Sequence, residues 1–146
     1  KDLRDYYKAL SLKSIHIQKR LSTSANYINK AMNSNNETDI FLNYYIALDA
    51  LFGIDGNVND SISIGIKMII KDSTLIGKSK YLYKLRNELV HGGSRFIEEW
   101  NKYEEYYNKF QSNILIDIET LAFNCINKYP THICQEFYDK LEGKDI

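Results

Sequence analysis

The chain has few of the residues that interrupt or cross-link a fold. Among 146 residues there are one proline, seven glycines and two cysteines. Proline and glycine are the strongest helix breakers, so long stretches are free to run as helix. Cys125 and Cys134 are too few for a disulfide scaffold, and a reducing cytoplasm is the expected setting. No apolar run approaches the roughly 18 residues of a membrane span, so no membrane partner is expected. No signal-peptide pattern opens the chain. The first residue is Lys rather than Met, and a piece of a longer protein with further domains is expected. Net charge is absent as well, since 19 basic side chains balance 19 acidic ones.

That balance hides an uneven distribution. Residues 1–34 carry seven Lys/Arg against two acids, and residues 35–60 carry five acids and no base. Residues 61–95 again carry seven against two, while 96–146 carry five against ten. A basic block is compatible with a polyanionic substrate. Alternating solvated faces on neighbouring helices would give the same pattern.

With 44% hydrophobic residues the chain has enough apolar surface for one domain with its own core, spanning 1–146. The absence of Val/Thr-rich alternating runs makes the expected class all-α, with about five or six helices. A long or broken helix is expected over about 3–32, with Leu10, Leu12, Ile15, Leu21 and Ile28 among its apolar positions. Asn33 to Asn36 reads as a loop, with Thr38 or Asp39 as the next cap. A strongly apolar helix follows over about 39–53. Within it Ile40, Phe41, Tyr44, Leu48, Leu51 and Phe52 share a face, and Gly53 ends it. Another is expected over about 60–71, started by Asn59 or Asp60, with Ile62, Ile66, Ile69 and Ile70 inward. After a loop over 72–77, a helix over 78–91 leads to an uninterrupted one over 98–129, ended by Pro130. A last helix over about 131–142 would use Ile133, Phe137 and Leu141. The expected core includes Leu48, Leu51, Ile66, Ile69, Leu82, Leu85, Leu89, Ile118 and Leu121.

The most informative stretch is Tyr81-Leu82-Tyr83-Lys84-Leu85-Arg86-Asn87-Glu88-Leu89-Val90-His91-Gly92-Gly93. Leu82, Leu85 and Leu89 form a helical core stripe. Tyr83, Asn87 and His91 share another face, with Arg86 alongside. The two glycines then stop the helix. His is the side chain whose proton affinity lies nearest neutrality, and Arg is a permanent planar cation suited to phosphate oxygens. Arg86 and His91 on the last turns of one helix point to phosphodiester chemistry without a metal. Asp49 is the odd residue of the preceding segment, an acid among Tyr45, Ile46 and Phe52. Desolvation penalises such a carboxylate unless a cation accompanies it, and Arg86 is the expected partner.

Arg86-Asn87-x-x-x-His91, near a helix end in an all-helical chain, resembles the HEPN superfamily, whose ribonuclease members carry an Arg and a His at this kind of spacing. Tyr44-Tyr45-Ile46-Ala47-Leu48-Asp49-Ala50-Leu51, an Ile-rich helix and then Tyr83 to Gly93 look like the Apea-like HEPN group. Asp49 stands where that group usually has Glu. The resemblance covers roughly residues 40–128. It implies an up-and-down helical bundle that forms a homodimer through the Arg86/His91 helix. It also implies metal-independent endoribonuclease activity on an RNA substrate, often in phage defence or toxin systems. The implied catalytic residues are Arg86, Asn87 and His91, with Asp49 and Tyr83 in support. His91 would take the proton from a ribose 2′-OH, and Arg86 would stabilise charge on the phosphoryl oxygens. Asn87 would donate to the phosphate or hold the His ring. Some members of the superfamily carry a modified Tyr two residues after the His; Gly93 stands there, so that regulation is not carried over. A non-catalytic HEPN-type dimerisation or nucleotide-binding module is the second reading, and an unrelated helical interaction domain the third.

The remaining candidates have plainer readings. Arg86 paired with Asp49, and His91 capping its own helix, would need no catalysis. His16 has no acid or Cys beside it in sequence and reads as surface or core. Cys125, His132 and Cys134 lack a fourth ligand and match no structural zinc spacing, so neither a metal nor any other cofactor is expected. Tyr103, Tyr106, Tyr107 and Phe110 could stack on bases, but helical spacing favours core or dimer interface.

Overall fold

The computed structural model describes residues 3–11 and 15–133. They form α1 (Leu3–Ser11), α2 (Ile15–Met32), α3 (Glu37–Phe52), α4 (Val58–Ile69), α5 (Ser73–Val90), a 3₁₀ turn (Ile97–Glu99), α6 (Tyr103–Phe110) and α7 (Ile114–His132). The described residues contain no strand, so the chain is all-α. None of their helices is long and apolar enough to cross a membrane.

The bundle is organised around α3 and α7, which pack against each other. Around them, α3 also touches α2, α4 and α5, while α7 touches α1, α2, α4 and α5. The reason lies in their side chains. Phe41, Tyr44, Tyr45, Ala47, Leu48, Leu51 and Phe52 of α3 are all buried, so most of its circumference is apolar and must be enclosed. Ile118, Leu121, Ala122, Cys125 and Tyr129 do the same for α7. α2 and α3 form an antiparallel hairpin: Ser24 Oγ donates to Ala47 O at 2.8 Å and Arg20 Nη1 to Gly53 O at 2.8 Å. Of the expected core, all are buried except Leu89, which is half-buried near the end of α5. Ile15, counted among the apolar positions of the first helix, is 72% exposed.

The helix ends depart from expectation where side-chain caps compete. Asn36, not Thr38 or Asp39, caps α3, its Oδ1 accepting from Asp39 N at 3.1 Å. α4 starts slightly earlier than expected, at Val58, with Asn57 rather than Asn59 or Asp60 at its cap position, though the Asn57 side chain makes no capping bond. α5 begins at Ser73, because Asp72 accepts from Thr74 N at 2.8 Å and Leu75 N at 3.2 Å. The expected loop over 72–77 is therefore mostly helix, and Gly77 lies inside it.

The continuous helix over 98–129 is not there. Gln111 turns left-handed at φ 51°, and Asn113 caps α7 by accepting from Leu115 N at 2.8 Å. A good cap residue directly before an apolar run starts a new helix more favourably than it continues an old one. Nor does Pro130 end α7, which runs on to His132. In the last turn a proline forfeits a single hydrogen bond, and the Pro130 ring is buried there. The expected helix over 131–142, with Phe137 and Leu141, lies outside the described residues beyond Ile133. Leu12, Cys134 and the side chain of Leu10 are outside them too.

One prediction about a terminus is met closely. Gly92 takes φ +79°, and Gly93 N donates to Glu88 O at 2.9 Å, closing α5 in the Schellman arrangement. That turn ends the helix directly after His91.

Candidate functional site

α5 sets the geometry because its last turns and C-cap carry Tyr83, Arg86, Asn87 and His91. His91 is the C-cap residue, its N–H donating to Asn87 O at 2.9 Å, and its side chain is exposed. Arg86 is half-buried, and its Nη1 donates to Asn87 Oδ1 at 3.1 Å. Asn87 therefore steadies the Arg, and its amide N–H groups are the donors it has left for a ligand.

Arg86 reaches a cavity of about 140 Å³ between α3, α4 and α5, lined among others by Leu42, Tyr45, Asp49, Tyr83 and Val90. Asp49 and Arg86 thus face one space, as the apolar company of Asp49 required. They do not form the direct ion pair expected of them. Ion pairs do form elsewhere among the described residues, at Lys78–Asp117, Arg95–Glu99 and Lys102–Glu105. The physical reason is the direction of the carboxylate. Asp49 folds back over its own helix end, so that a Cβ added to Gly53 would lie 1.9 Å from Asp49 Oδ1. Glycine leaves the room the carboxylate uses.

Burial pushes the Asp49 carboxyl above its ordinary range; Arg86 and then Arg20 pull it back, and Asp55 adds to the rise. Arg20 is the second cation. It caps the C-terminus of α3 by donating to Gly53 O, where a cation also meets the negative end of the helix dipole. A more open cavity of about 430 Å³ on that side is lined by His16, Lys19, Arg20 and Asp49. Asp49 accordingly lines two cavities, one with Arg86 and the other with Lys19 and Arg20. His16 is exposed and accepts from Arg20 Nε at 3.0 Å. Tyr45 is buried among these groups, and burial raises its phenol out of the range in which it would ionise.

The structure thus gathers Arg86, Tyr83 and Asp49 around one cavity, with Asn87 bonded to the Arg, while the His91 ring is not among the lining residues. Sequence reasoning missed Arg20 and underrated Tyr45. Arg20 belongs to the basic block of residues 1–34, but nothing local ties it to a helix end more than thirty positions away.

The other candidates sort differently. Cys125 is buried, which pushes its thiol up to about 12. His132 is the last residue of α7, with Nδ1 beside Lys128 O at 2.9 Å. Tyr106 is fully buried against Phe110, with ring centroids 4.9 Å apart, while Tyr103 and Tyr107 are exposed. Among the described residues no three His, Cys, Asp or Glu side chains converge as metal ligands would. Comparison with family models, with curated proteins and with solved structures finds no match to the chain.

Proposed function

We propose that the chain is a HEPN-type helical domain acting on RNA. More particularly, we propose a metal-independent endoribonuclease, working in the cytoplasm as part of a phage-defence or toxin system. The observation that carries this reading is the clustering of Arg86, Asn87 and His91 at the glycine-closed end of α5, with Asp49 facing Arg86 across a cavity.

In this reading His91 accepts the proton of a ribose 2′-OH as that oxygen attacks the adjacent phosphorus. The bond from phosphorus to the 5′ oxygen of the next nucleotide breaks, and that oxygen takes a proton from a second acid. Arg86 offsets the negative charge gathering on the phosphoryl oxygens. The products are a 2′,3′-cyclic phosphate and a 5′-OH, with no metal in the scheme. A second copy of the chain, packed about a twofold axis near the two α5 ends, supplies the second acid as its own His. Val90, half exposed beside the motif, and Ile46, exposed on the neighbouring α3, give that dimer an apolar contact.

The test is cleavage of single-stranded RNA in EDTA. We expect cyclic-phosphate ends, no cut where the 5′ nucleotide is 2′-deoxy, and a loss of about 10²–10⁴-fold in His91→Ala with its fold intact. Cleavage that needs Mg²⁺ or survives in His91→Ala would overturn the assignment. A monomer by light scattering at micromolar concentration would remove the composite site.

One observation favours a second reading, a non-catalytic dimerisation or nucleotide-binding module. His91 does not line the cavity that Arg86 lines, so one copy does not surround a phosphate with both groups. Nucleotide binding without cleavage would select it.

A further inference from the structure

We propose that α5 carries a subsite for the nucleotides next to the cut, with Lys80 and Lys84 on the phosphates and one base in the slot lined by Tyr83, Tyr45 and Asn59. The proposal rests on the RNA-directed reading above for its ligand class, but on separate residues for its geometry.

Lys80, Lys84, Asn87 and His91 stand at i, i+4, i+7 and i+11, which on an α-helix is one stripe. It is about 16 Å long at 1.5 Å per residue. Lys80, Lys84 and His91 are exposed, so the stripe is a polar ridge ending in the proposed base catalyst. The third lysine of this stretch, Lys78, does not belong to it: its ammonium is 3.0 Å from Asp117 in the interior. Lys84 is held over the Tyr81 ring, 5.7 Å from its centroid.

Beside this ridge runs a groove. A cavity of about 360 Å³ is lined by Lys80, Lys84, Ser63 and Asp60 among others. It shares Tyr45, Asn59, Ile62 and Tyr83 with the cavity that Arg86 and Asp49 line, so the two lie side by side. One wall therefore presents cations, the floor is aromatic and aliphatic, and Asn59 on the far wall offers both a donor and an acceptor. A nucleotide has the matching parts: an anionic backbone, a flat ring that stacks on aromatic side chains, and a hydrogen-bonding edge. Asp60 on the far wall and Asp49 at the inner end repel phosphate, which assigns the backbone to the lysine side and the base to the slot. An acidic peptide would use the lysines but has nothing flat for the aromatic floor.

The experiment measures binding of a short, fully 2′-O-methylated single-stranded RNA, which cannot be cut, by fluorescence anisotropy across a salt series. Melting curves check that each variant is folded. Lys80→Gln/Lys84→Gln should flatten the plot of log affinity against log salt by about 1.4, at roughly 0.7 per lost phosphate contact on a single strand. Tyr83→Leu should weaken binding about tenfold with the slope unchanged, and Tyr83→Phe should bind as the parent does. An unchanged slope in the lysine variant, equal affinity of Tyr83→Leu and parent, or tighter lysine-dependent binding of polyglutamate would each overturn the subsite. Parent protein that cleaves in EDTA through His91 while the lysine variant keeps its slope would sink this proposal and leave the ribonuclease reading standing. Lysine- and Tyr83-dependent binding without any cleavage would do the reverse.

Discussion

The two halves of α5 each bring a cation to a carboxylate, and they do so in opposite ways. In the first half, Lys78 meets Asp117 at 3.0 Å with side chains only 15% and 7% exposed. The same carboxylate accepts from Tyr106 Oη at 2.6 Å and from Ser112 Oγ. Three donors from α5, α6 and the turn after it converge on one acid of α7, and every group is satisfied. In the second half, Arg86 and Asp49 face one cavity without touching, and the Arg leans on Asn87 instead. The difference separates a fastener from a site. A saturated network holds helices in register and leaves nothing for a ligand, whereas an unsaturated one keeps charge available at the cost of some stability.

The strongest test of that contrast is Asp117→Ala. It strands Lys78, Tyr106 and Ser112 in the interior and should cost about 3–5 kcal/mol, read from denaturant unfolding. A loss below about 1 kcal/mol would mean that the network is not a fastener, since that is the range of exposed pairs.

Gly53→Ala probes the other half through its backbone and should have an intermediate effect. The new Cβ would sit 2.6 Å from Asp49 O as well as against the carboxylate, so the end of α3 must shift. A destabilisation of about 1–3 kcal/mol is expected, the usual cost of forcing atoms into filled space. Cleavage should fall with it if the position of Asp49 matters to Arg86. An Ala variant as stable as the parent would show that the carboxylate moves aside freely.

The smallest effect belongs to Asp49→Asn, and its sign is the informative part. Burial raises the Asp49 carboxyl above its ordinary 3.8, so the folded chain holds this proton more tightly than the unfolded one. The group's contribution to stability is full below the ordinary carboxylate range and is lost as pH rises through the raised value. The Asn variant should therefore match or slightly exceed the parent in Tm at pH 7, the advantage fading as the pH is taken into the acid range. If Asp49→Asn lowers the Tm at pH 7, Asp49 and Arg86 are paired in solution and the contrast between the two halves is smaller than the structure indicates.

Much of this was legible in the residues alone. The Leu82, Leu85, Leu89 stripe placed α5 and its inner face, and Gly92 and Gly93 placed its end within a residue, because both signals act over a few helical turns at most. The same locality put Arg86, Asn87 and His91 on adjoining turns and marked Asp49 as an acid in apolar company. Boundaries were less legible where several polar residues competed to cap, as at Asn36 against Thr38 and Asp39, or at Asn113 inside an otherwise helical run.

What the sequence determined by itself is therefore the all-helical class, most of the buried positions and the order of chemical groups along α5, all of which follow from periodicity and nearest-neighbour chemistry. Only the tertiary structure decided which charges meet. Lys78 with Asp117, Arg20 with the end of α3, and Arg86 facing but not touching Asp49 join residues more than thirty positions apart. Their pairing depends on how α3, α5 and α7 pack, and on the room that one glycine leaves at Gly53. No local pattern encodes that, because a charged side chain is drawn to whichever partner the packed helices bring within its reach.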